Sequence, residues 1–179
     1  MEYYREQMMN GERYYSYHPG LYHNVVAFNI TGILSEIKGA EVYCGCALFL
    51  STKDQVVPDV AVVRNHDILM PAGIFGVPDL IVEVLVFASA RFDRGYKKQL
   101  YQAHGVKEYW IADAKSKSIE VYLLGDEGKY RFDGVYFVPE DWELEPMSDE
   151  ERSEVLYKFS THLSDELMID VREVFKNVK

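Results

Sequence analysis

The chain has 179 residues, 48% of them hydrophobic, and a formal net charge of −10 at pH 7. This length and apolar content can fill one core, so we predict a single domain over residues 1–179. No apolar run approaches the roughly 20 residues of a transmembrane helix, and the first residues lack the apolar centre of a signal peptide. We therefore expect a cytoplasmic protein without a membrane partner. Cys44 and Cys46 are too few for a four-ligand zinc site and are predicted to be structural or free thiols.

The distribution of charge along the chain is compatible with a nucleic-acid partner. A net charge of −10 argues against one, because binding to a polyanion depends largely on lysine and arginine. Residues 91–117, however, contain seven basic and three acidic residues, a surplus of +4. The negative charge is concentrated in residues 140–154. A local basic face is therefore possible, although solvated surfaces explain both segments equally well.

Local patterns in the first half of the chain predict alternating strands and helices. Asn10-Gly11 forms a turn before a short tyrosine-rich strand. A helix should follow Gly20 and stop near Gly39, with Leu21, Val25, Phe28, Ile33, Leu34 and Ile37 on its apolar face. Further strands are predicted over residues 41–50, 58–63 and 78–85.

The second half should contain the clearest helix, over residues 93–104, with Asp93 as its N-cap and Gly105 just past its end. Lys97 falls on its inward stripe with Leu100, Tyr101 and His104. We predict strands over residues 108–112 and 118–124, a hairpin over 129–138 around Asp133-Gly134, a helix over 149–159 with a capping box, and a short strand or helix over 168–175.

Two carboxylates lie in runs that should be buried strands. Asp59 precedes Val60-Ala61-Val62-Val63, and Glu83 lies within Leu80-Ile81-Val82-Glu83-Val84-Leu85. An ionised carboxylate is costly to bury unless it is paired or binds a metal. These positions therefore indicate a metal site on a sheet. A buried Glu83–Lys97 salt bridge, with Asp59 merely turning the chain after Pro58, is the structural alternative.

Distance along a strand selects the partner of Glu83. Asp79 lies about 13 Å away on the same strand, whereas a residue opposite Glu83 on a neighbouring strand would be about 5 Å away. Asp59 is the better candidate. The two carboxylates and the main-chain carbonyl of Val84 would form an oxygen cage suited to Mg²⁺ or Mn²⁺. Lys97 could then orient water or stabilise charge on a phosphate.

The central segment resembles a known bacterial family. The matching residues are Pro78-Asp79-Leu80-Ile81-Val82-Glu83-Val84-Leu85, then Asp93-Arg94-Gly95-Tyr96-Lys97, Tyr101, and Gly105-Val106-Lys107-Glu108-Tyr109-Trp110-Ile111-Ala112-Asp113. They are similar to the signature of the restriction-endonuclease-like family, a group of largely uncharacterised proteins in the PD-(D/E)XK nuclease superfamily. Weaker similarity extends to residues 10–12, to His23 and to residues 167–171, so it covers most of the chain.

The resemblance implies an α/β (α+β mixed) fold with a restriction-endonuclease-like core, a mixed sheet flanked by helices. It also implies a divalent-metal site with Asp59 and Glu83 as acidic ligands and Lys97 as the catalytic lysine. Lys97 would replace the usual lysine two residues after the acidic ligand, where this chain has Leu85. Glu12 and His23 match positions near the same site, and Asp79 belongs to the motif. A surface turn for Glu12 and simple packing for His23 are the ordinary alternatives.

The loop after Glu83 departs from the family. Where the family commonly has Leu-Ser-Pro-Ser-Thr, this chain has Leu85-Val86-Phe87-Ala88-Ser89-Ala90. The leading hypothesis is a Mg²⁺- or Mn²⁺-dependent endonuclease acting on DNA, in which a symmetric homodimer would provide two sites. The alternatives are a non-catalytic nuclease-like module that binds nucleic acid or protein, and a protein-interaction module that uses the acidic segment 140–154.

Overall fold

The computed structural model describes residues 5–16, 19–86, 89–153, 155 and 157–179. Its helices are α1 (Leu21–Leu34), α2 (Ala90–Phe92), α3 (Lys98–His104), α4 (Asp141–Leu144), α5 (Asp149–Ser153) and α6 (Val171–Val174). A 3₁₀ turn covers His66–Ile68, and a π-helical turn, Asp93–Lys97, joins α2 to α3. The strands are β1 (Arg5–Met9), β2 (Glu12–Ser16), β3 (Glu41–Cys44), β4 (Leu48–Phe49), β5 (Gln55–Val56), β6 (Val60–Val63), β7 (Leu69–Met70), β8 (Gly73–Phe75), β9 (Leu80–Val84), β10 (Glu108–Asp113), β11 (Ser118–Leu124), β12 (Tyr130–Phe137), β13 (Lys158–Ser160) and β14 (Met168–Asp170).

The described strands form a central sheet and two further sheets. The central sheet has the order β12-β11-β10-β9-β6-β3, in which β9 and β10 are parallel and the other pairs antiparallel. A second sheet has the order β2-β1-β5-β4-β8-β7, and β13 pairs with β14. Helices flank these sheets, so the predicted mixed α/β fold class is confirmed.

Strand β9 alternates between two apolar cores. Leu80, Val82 and Val84 join the core that also contains residues of α1 and α6, whereas Ile81 joins the core that contains Tyr101 of α3. Because both faces of the sheet are covered, all five residues of β9 are buried. Glu83 shares the face of Ile81 and is therefore directed toward α3.

Helix α1 buries Leu34 as predicted, but its first two turns bury a different face from the one predicted. Leu21 and Phe28 are 73% and 75% exposed, while the buried residues are His23, Val26, Ala27, Ile30 and Leu34. Two sets of apolar residues recur at helical spacing in this helix, so periodicity alone could not choose between them. The buried set places His23 on the inward face.

Two predicted strand boundaries are wrong. The strand expected over residues 41–50 is broken at Gly45, whose φ of 61° turns the chain out of β3, and β4 joins the second sheet instead. The hairpin expected around Asp133-Gly134 is one strand, β12. Gly134 pairs with Val121 and Phe132 with Tyr122, so Asp133 is the extra residue of a β-bulge.

The C-terminal elements follow the prediction in part. Ser148 and Glu151 make the expected capping box, with Glu151 Oε2 accepting from Ser148 N at 2.8 Å and Ser148 Oγ accepting from Glu151 N at 3.3 Å. The helix ends at Ser153, however, and residues 158–160 form strand β13, whose Phe159 packs edge-on against Trp110 with ring centroids 4.9 Å apart. Residues 168–175 contain both a strand, β14, and a helix, α6.

Cys44 and Cys46 carry free thiols, as expected. Among the described helices, none combines the length and apolar character needed to cross a bilayer. Phe87 and Ala88, which belong to the divergent loop after Glu83, lie outside the described residues.

Candidate active site

The pairing of β6 with β9 brings Asp59 and Glu83 together. Val60 pairs with Val82 and Ala61 with Ile81. Asp59 directly precedes β6, so continuing this antiparallel register places it opposite Glu83, on the same face of the sheet. The two side chains are buried, with 6% and 2% of the residue surface exposed. The predicted pairing of these two strands is confirmed.

The carboxylate of Asp59 contacts a main-chain N–H, an imidazole and a guanidinium group. Its Oδ2 atom accepts a hydrogen bond from Val84 N at 2.8 Å and lies 3.0 Å from His23 Nε2. Its Oδ1 atom lies 3.3 Å from Arg5 Nη1. Burial raises the pKa of Asp59, but the hydrogen bond and charge of His23, the charge of Lys97 and the Val84 N–H outweigh burial and hold this pKa below its ordinary value.

Each carboxylate oxygen of Glu83 contacts one side chain from the π-helical turn or from α3. Tyr101 donates its hydroxyl to Oε1 at 2.6 Å, and Lys97 Nζ lies 2.8 Å from Oε2. Burial raises the pKa of Glu83 to about 8, against the attraction of Lys97 and with help from the negative charges of Asp59 and Asp93. The ionised form of Glu83 is therefore disfavoured in the protein alone, and added positive charge at this centre of Asp59, Glu83 and Lys97 would stabilise it.

The wide helical turn after α2 positions Lys97. Asp93, Lys97 and Tyr101 are spaced four residues apart, and Lys97 and Tyr101 both reach Glu83. Lys97 Nζ also lies 3.2 Å from Asp93 Oδ1, in an ion pair without hydrogen-bond geometry. Burial lowers the pKa of Lys97, but the charges of Glu83 and Asp93 raise this pKa above its ordinary value, which keeps the ammonium protonated.

The predicted start of the helix over residues 93–104 is wrong at Asp93. This residue is not the N-cap, because the helical segment already begins at Ala90 and the Asp93 side chain is buried beside Lys97. The predicted end is confirmed, since Gly105 terminates α3 in a left-handed conformation with φ 82°. A π-helical turn is often found at functional sites, and here it carries Lys97.

The carboxylate and main-chain oxygens at this centre are the ligand type that hard divalent cations prefer. Val84 N–H faces Asp59 and Leu85 N–H bonds to Ala112, so the Val84 carbonyl lies on the same strand edge as Asp59. A cavity of about 40 Å³ is lined by Asp59, Glu83 and Lys97 among others. Within the described residues, no three His, Cys, Asp or Glu side chains are arranged to hold a metal alone. Water and phosphate oxygens would complete the coordination, as is common for Mg²⁺.

Two predicted supporting residues lie away from this cluster. The exposed Glu12 accepts a hydrogen bond from Tyr14 at 3.1 Å. Asp79 precedes β9 at the end opposite Glu83, where it accepts from Arg64 N at 2.9 Å and pairs with Lys107 at 2.8 Å. His23 does reach Asp59, although its Nδ1 atom has no hydrogen-bond partner.

Three contacting residues were not assigned to the site from the sequence: Arg5, Asp93 and Tyr101. The four-residue spacing of Asp93 and Tyr101 around Lys97 was a usable signal, because side chains at i and i+4 share a helix face. Arg5 gave no such signal. It reaches Asp59 across 54 positions of the chain, from a strand of the second sheet.

A wide groove adjoins the centre on one side. It has a volume of about 590 Å³ and shares His23 and Val86 with the smaller cavity. Its basic lining residues are Arg94, Lys115, Lys117 and Lys179, and its acidic ones are Asp113 and Glu140. The groove therefore has a local positive surplus in a protein of net charge −10.

Comparison with known proteins places the chain in a family. The crystal structure of a protein described as a putative nuclease belonging to DUF820, from Anabaena variabilis ATCC 29413, is similar with a TM-score of 0.70. It is 13% identical, over 95% of this chain and 89% of that chain, so the likeness concerns the fold. No curated protein matches the chain. Residues 4–153 match the model of the Uma2 family, described as "Putative restriction endonuclease", and the chain belongs to this family of nuclease-like proteins.

Proposed function

We propose that this protein is a Mg²⁺- or Mn²⁺-dependent endonuclease that hydrolyses phosphodiester bonds in DNA. One observation carries the proposal: Asp59 and Glu83 face each other across two buried strands, and the Lys97 ammonium lies 2.8 Å from Glu83. Membership of a nuclease-like family supports the general reaction. The metal ion and the DNA substrate are the specific parts of the proposal.

Each residue has a distinct role in this reaction. Asp59, Glu83 and the Val84 carbonyl would hold the ion, which when bound lowers the pKa of water and neutralises charge on a phosphate. Lys97 is fixed between Glu83 and Asp93, so its ammonium is preorganised to orient water or to stabilise charge developing on phosphate oxygens. His23 keeps the Asp59 carboxylate in position through its contact at 3.0 Å.

The basic groove supports a nucleic-acid substrate. Exposed Lys115 and Lys179 line it, together with Arg94 and Lys117. The last two already pair with Glu120 and Glu140, at 2.7 and 2.9 Å, so Lys115 and Lys179 are better placed to contact phosphates. Because this groove adjoins the acidic centre, a strand bound along it would pass its backbone over Asp59 and Glu83.

The test is cleavage of supercoiled plasmid and short duplexes in Mg²⁺, in Mn²⁺ and in EDTA. Wild-type protein should cut only with a divalent ion, and Asp59→Asn should be slower by about 100-fold or more, since electrostatic stabilisation of a transition state is worth at least that much. Asp54→Asn is the matched control, because Asp54 is also buried but pairs with His104 at 3.1 Å. Equal rates for wild type and Asp59→Asn, or cleavage in EDTA, would contradict the proposal.

The second candidate is a non-catalytic nuclease-like binding module. It is favoured by the apolar character of residues 85–88, where the family commonly carries hydroxyl groups and a proline. DNA binding that depends on salt and survives Glu83→Ala, without turnover in either metal, would favour this candidate over the enzyme.

A further inference from the structure

An aromatic pocket opens beside the small cavity lined by Asp59 and Glu83, which we call the cation cavity, and it shares Val86 with the basic groove. Its volume is about 250 Å³, and Tyr14, Tyr15 and Phe92 are its aromatic lining residues. The pocket and the cation cavity are contiguous, because the same six residues line both of them: Gln7, Ser16, Val86, Ser89, Asp93 and Lys97. A ligand bound at Asp59 and Glu83 could therefore extend directly into this pocket.

The aromatic wall is built from two separate elements. Tyr14 on β2 lies 5.1 Å from the ring of Phe92 on α2, measured between ring centroids. The ring of Phe92 also stacks on the ring of Tyr96, with centroids 5.5 Å apart and an interplanar angle of 10°. Both Tyr14 and Phe92 remain partly exposed. Fixed rings with accessible surface are suited to stacking on a planar ligand.

We propose that this pocket receives an unstacked nucleobase next to the phosphodiester bound at Asp59 and Glu83. The inference rests on the proposed function of that centre. A phosphate and its own base are separated by one sugar, which matches two cavities that share a wall. Lys97 lies at their boundary, where the charge of the phosphate would be, and Gln7 and Ser16 supply polar groups at the same boundary.

This arrangement selects a class of substrate. Inside a duplex, both faces of a base are covered by its neighbours, so the base cannot enter an aromatic pocket without leaving the stack. Single strands and locally unpaired sites offer bases that are already free to stack on protein rings. The preferred substrate is therefore single-stranded or locally unpaired nucleic acid, with its backbone in the basic groove and one base in the pocket.

Fluorescence anisotropy tests the proposal with a labelled single strand, the duplex of the same sequence, and single strands that carry one abasic nucleotide at successive positions. The buffer contains Ca²⁺, and gels check that the oligonucleotides stay intact. Wild-type protein should bind the single strand more tightly than the duplex. Phe92→Leu should weaken single-strand binding by about 5- to 150-fold, the loss expected for one base–aromatic stack.

Two controls separate stacking from misfolding. Phe92→Tyr keeps the ring and should bind as wild type, and Phe132→Leu removes an aromatic residue that is 52% exposed on β12 and should have no effect. One abasic position should weaken wild-type binding by a similar factor to Phe92→Leu and cause no further loss in that variant, because both changes remove the same contact. Thermal melting checks that each variant is folded.

The outcomes distinguish this proposal from the proposed function. Equal losses for single strand and duplex, additive effects of Phe92→Leu and every abasic position, or no binding by the wild type would overturn the base pocket. Loss of single-strand binding in Phe92→Leu together with an absence of cleavage in Mg²⁺ and Mn²⁺ would support the pocket and reject the nuclease.

Discussion

Asp59 accepts a hydrogen bond from the main-chain N–H of Val84 at 2.8 Å, so the first acidic residue is fastened to the strand that carries the second. This bond links the end of β9 to the residue before β6. A shift of one residue in the β6–β9 register would turn one carboxylate to the opposite face of the sheet. The separation of the two carboxylates is therefore set by the sheet.

His23 should act as a positioning residue for Asp59. Replacing it with alanine removes the contact at 3.0 Å, and we expect about 10-fold weaker Mn²⁺ binding, the lower end of the loss seen when a partner of a metal ligand is removed. Calorimetric titration with Mn²⁺ measures this. The control is His104→Ala. It removes a similar contact, in which His104 Nε2 lies 3.1 Å from Asp54 Oδ2, and this pair is not part of the centre. Equal Mn²⁺ affinities for His23→Ala and wild type would reject the positioning role.

Lys97→Met should destabilise the fold as well as abolish activity. The substitution leaves Glu83 and Asp93 buried without their cation, and removing one partner of a buried ion pair costs about 3–5 kcal/mol. Urea unfolding at pH 8 measures the loss. Lys38→Met breaks an exposed pair with Glu166 and should leave the unfolding free energy nearly unchanged. If both variants unfold at the wild-type urea concentration, the buried pairs contribute nothing to stability.

Two glycine substitutions should shift stability in opposite directions. At Gly73, with φ 142°, an added Cβ would lie 2.3 Å from the main-chain oxygen of Ala47, so Gly73→Ala should separate β8 from β4 and lower the melting temperature. At Gly32, inside α1, an added Cβ meets nothing within 4 Å. Gly32→Ala should stabilise the protein by about 0.5–1 kcal/mol through helix propensity. Thermal melting compares the two, and a lower melting temperature for Gly32→Ala would contradict this reasoning.

Glu108 should make stability depend on pH. Burial raises the pKa of its carboxyl, and the hydrogen bonds from Trp110, Thr161 and His162 N oppose this only in part. The folded state therefore binds this proton more tightly than the unfolded state, and the resulting stability is present below the ordinary pKa of 4.5 and is lost as the pH rises through the raised value.

The Glu108→Gln variant isolates this contribution. As the pH increases from 4, the unfolding free energy of the wild type should fall relative to that of Glu108→Gln, because only the wild type loses the bound proton. Urea unfolding at several pH values measures the difference. If the unfolding free energy of the wild type minus that of the variant stays constant or rises with pH, the Glu108 carboxyl is not the cause.

The sequence predicted the centre better than its surroundings. Period-two alternation placed Glu83 on the face opposite Val82 and Val84, and strand spacing identified Asp59 as its partner. Both inferences use short-range geometry that every strand obeys. Helical spacing likewise directed Lys97 inward, where it contacts Glu83.

Other features depend on packing that no local pattern contains. Helix α1 has two apolar sets at helical spacing, and only the tertiary fold decides that Val26 and Ile30 are inside while Phe28 is outside. Residues 158–160, expected at the end of a helix, instead form β13, which pairs with β14 and places Phe159 on Trp110 of the central sheet. Arg5 reaches Asp59 only through the arrangement of two sheets.

The most direct test is a crystal of the wild-type protein soaked in Mn²⁺ and measured at a wavelength where manganese scatters anomalously. We expect one anomalous peak coordinated by carboxylate oxygens of both Asp59 and Glu83, with Lys97 beside it, and no such peak in crystals of Asp59→Asn. Full Mn²⁺ occupancy at another position, or no peak while Glu83 stays paired with Lys97 and Asp59 with His23, would show that this centre is a structural ion-pair cluster and not a metal site.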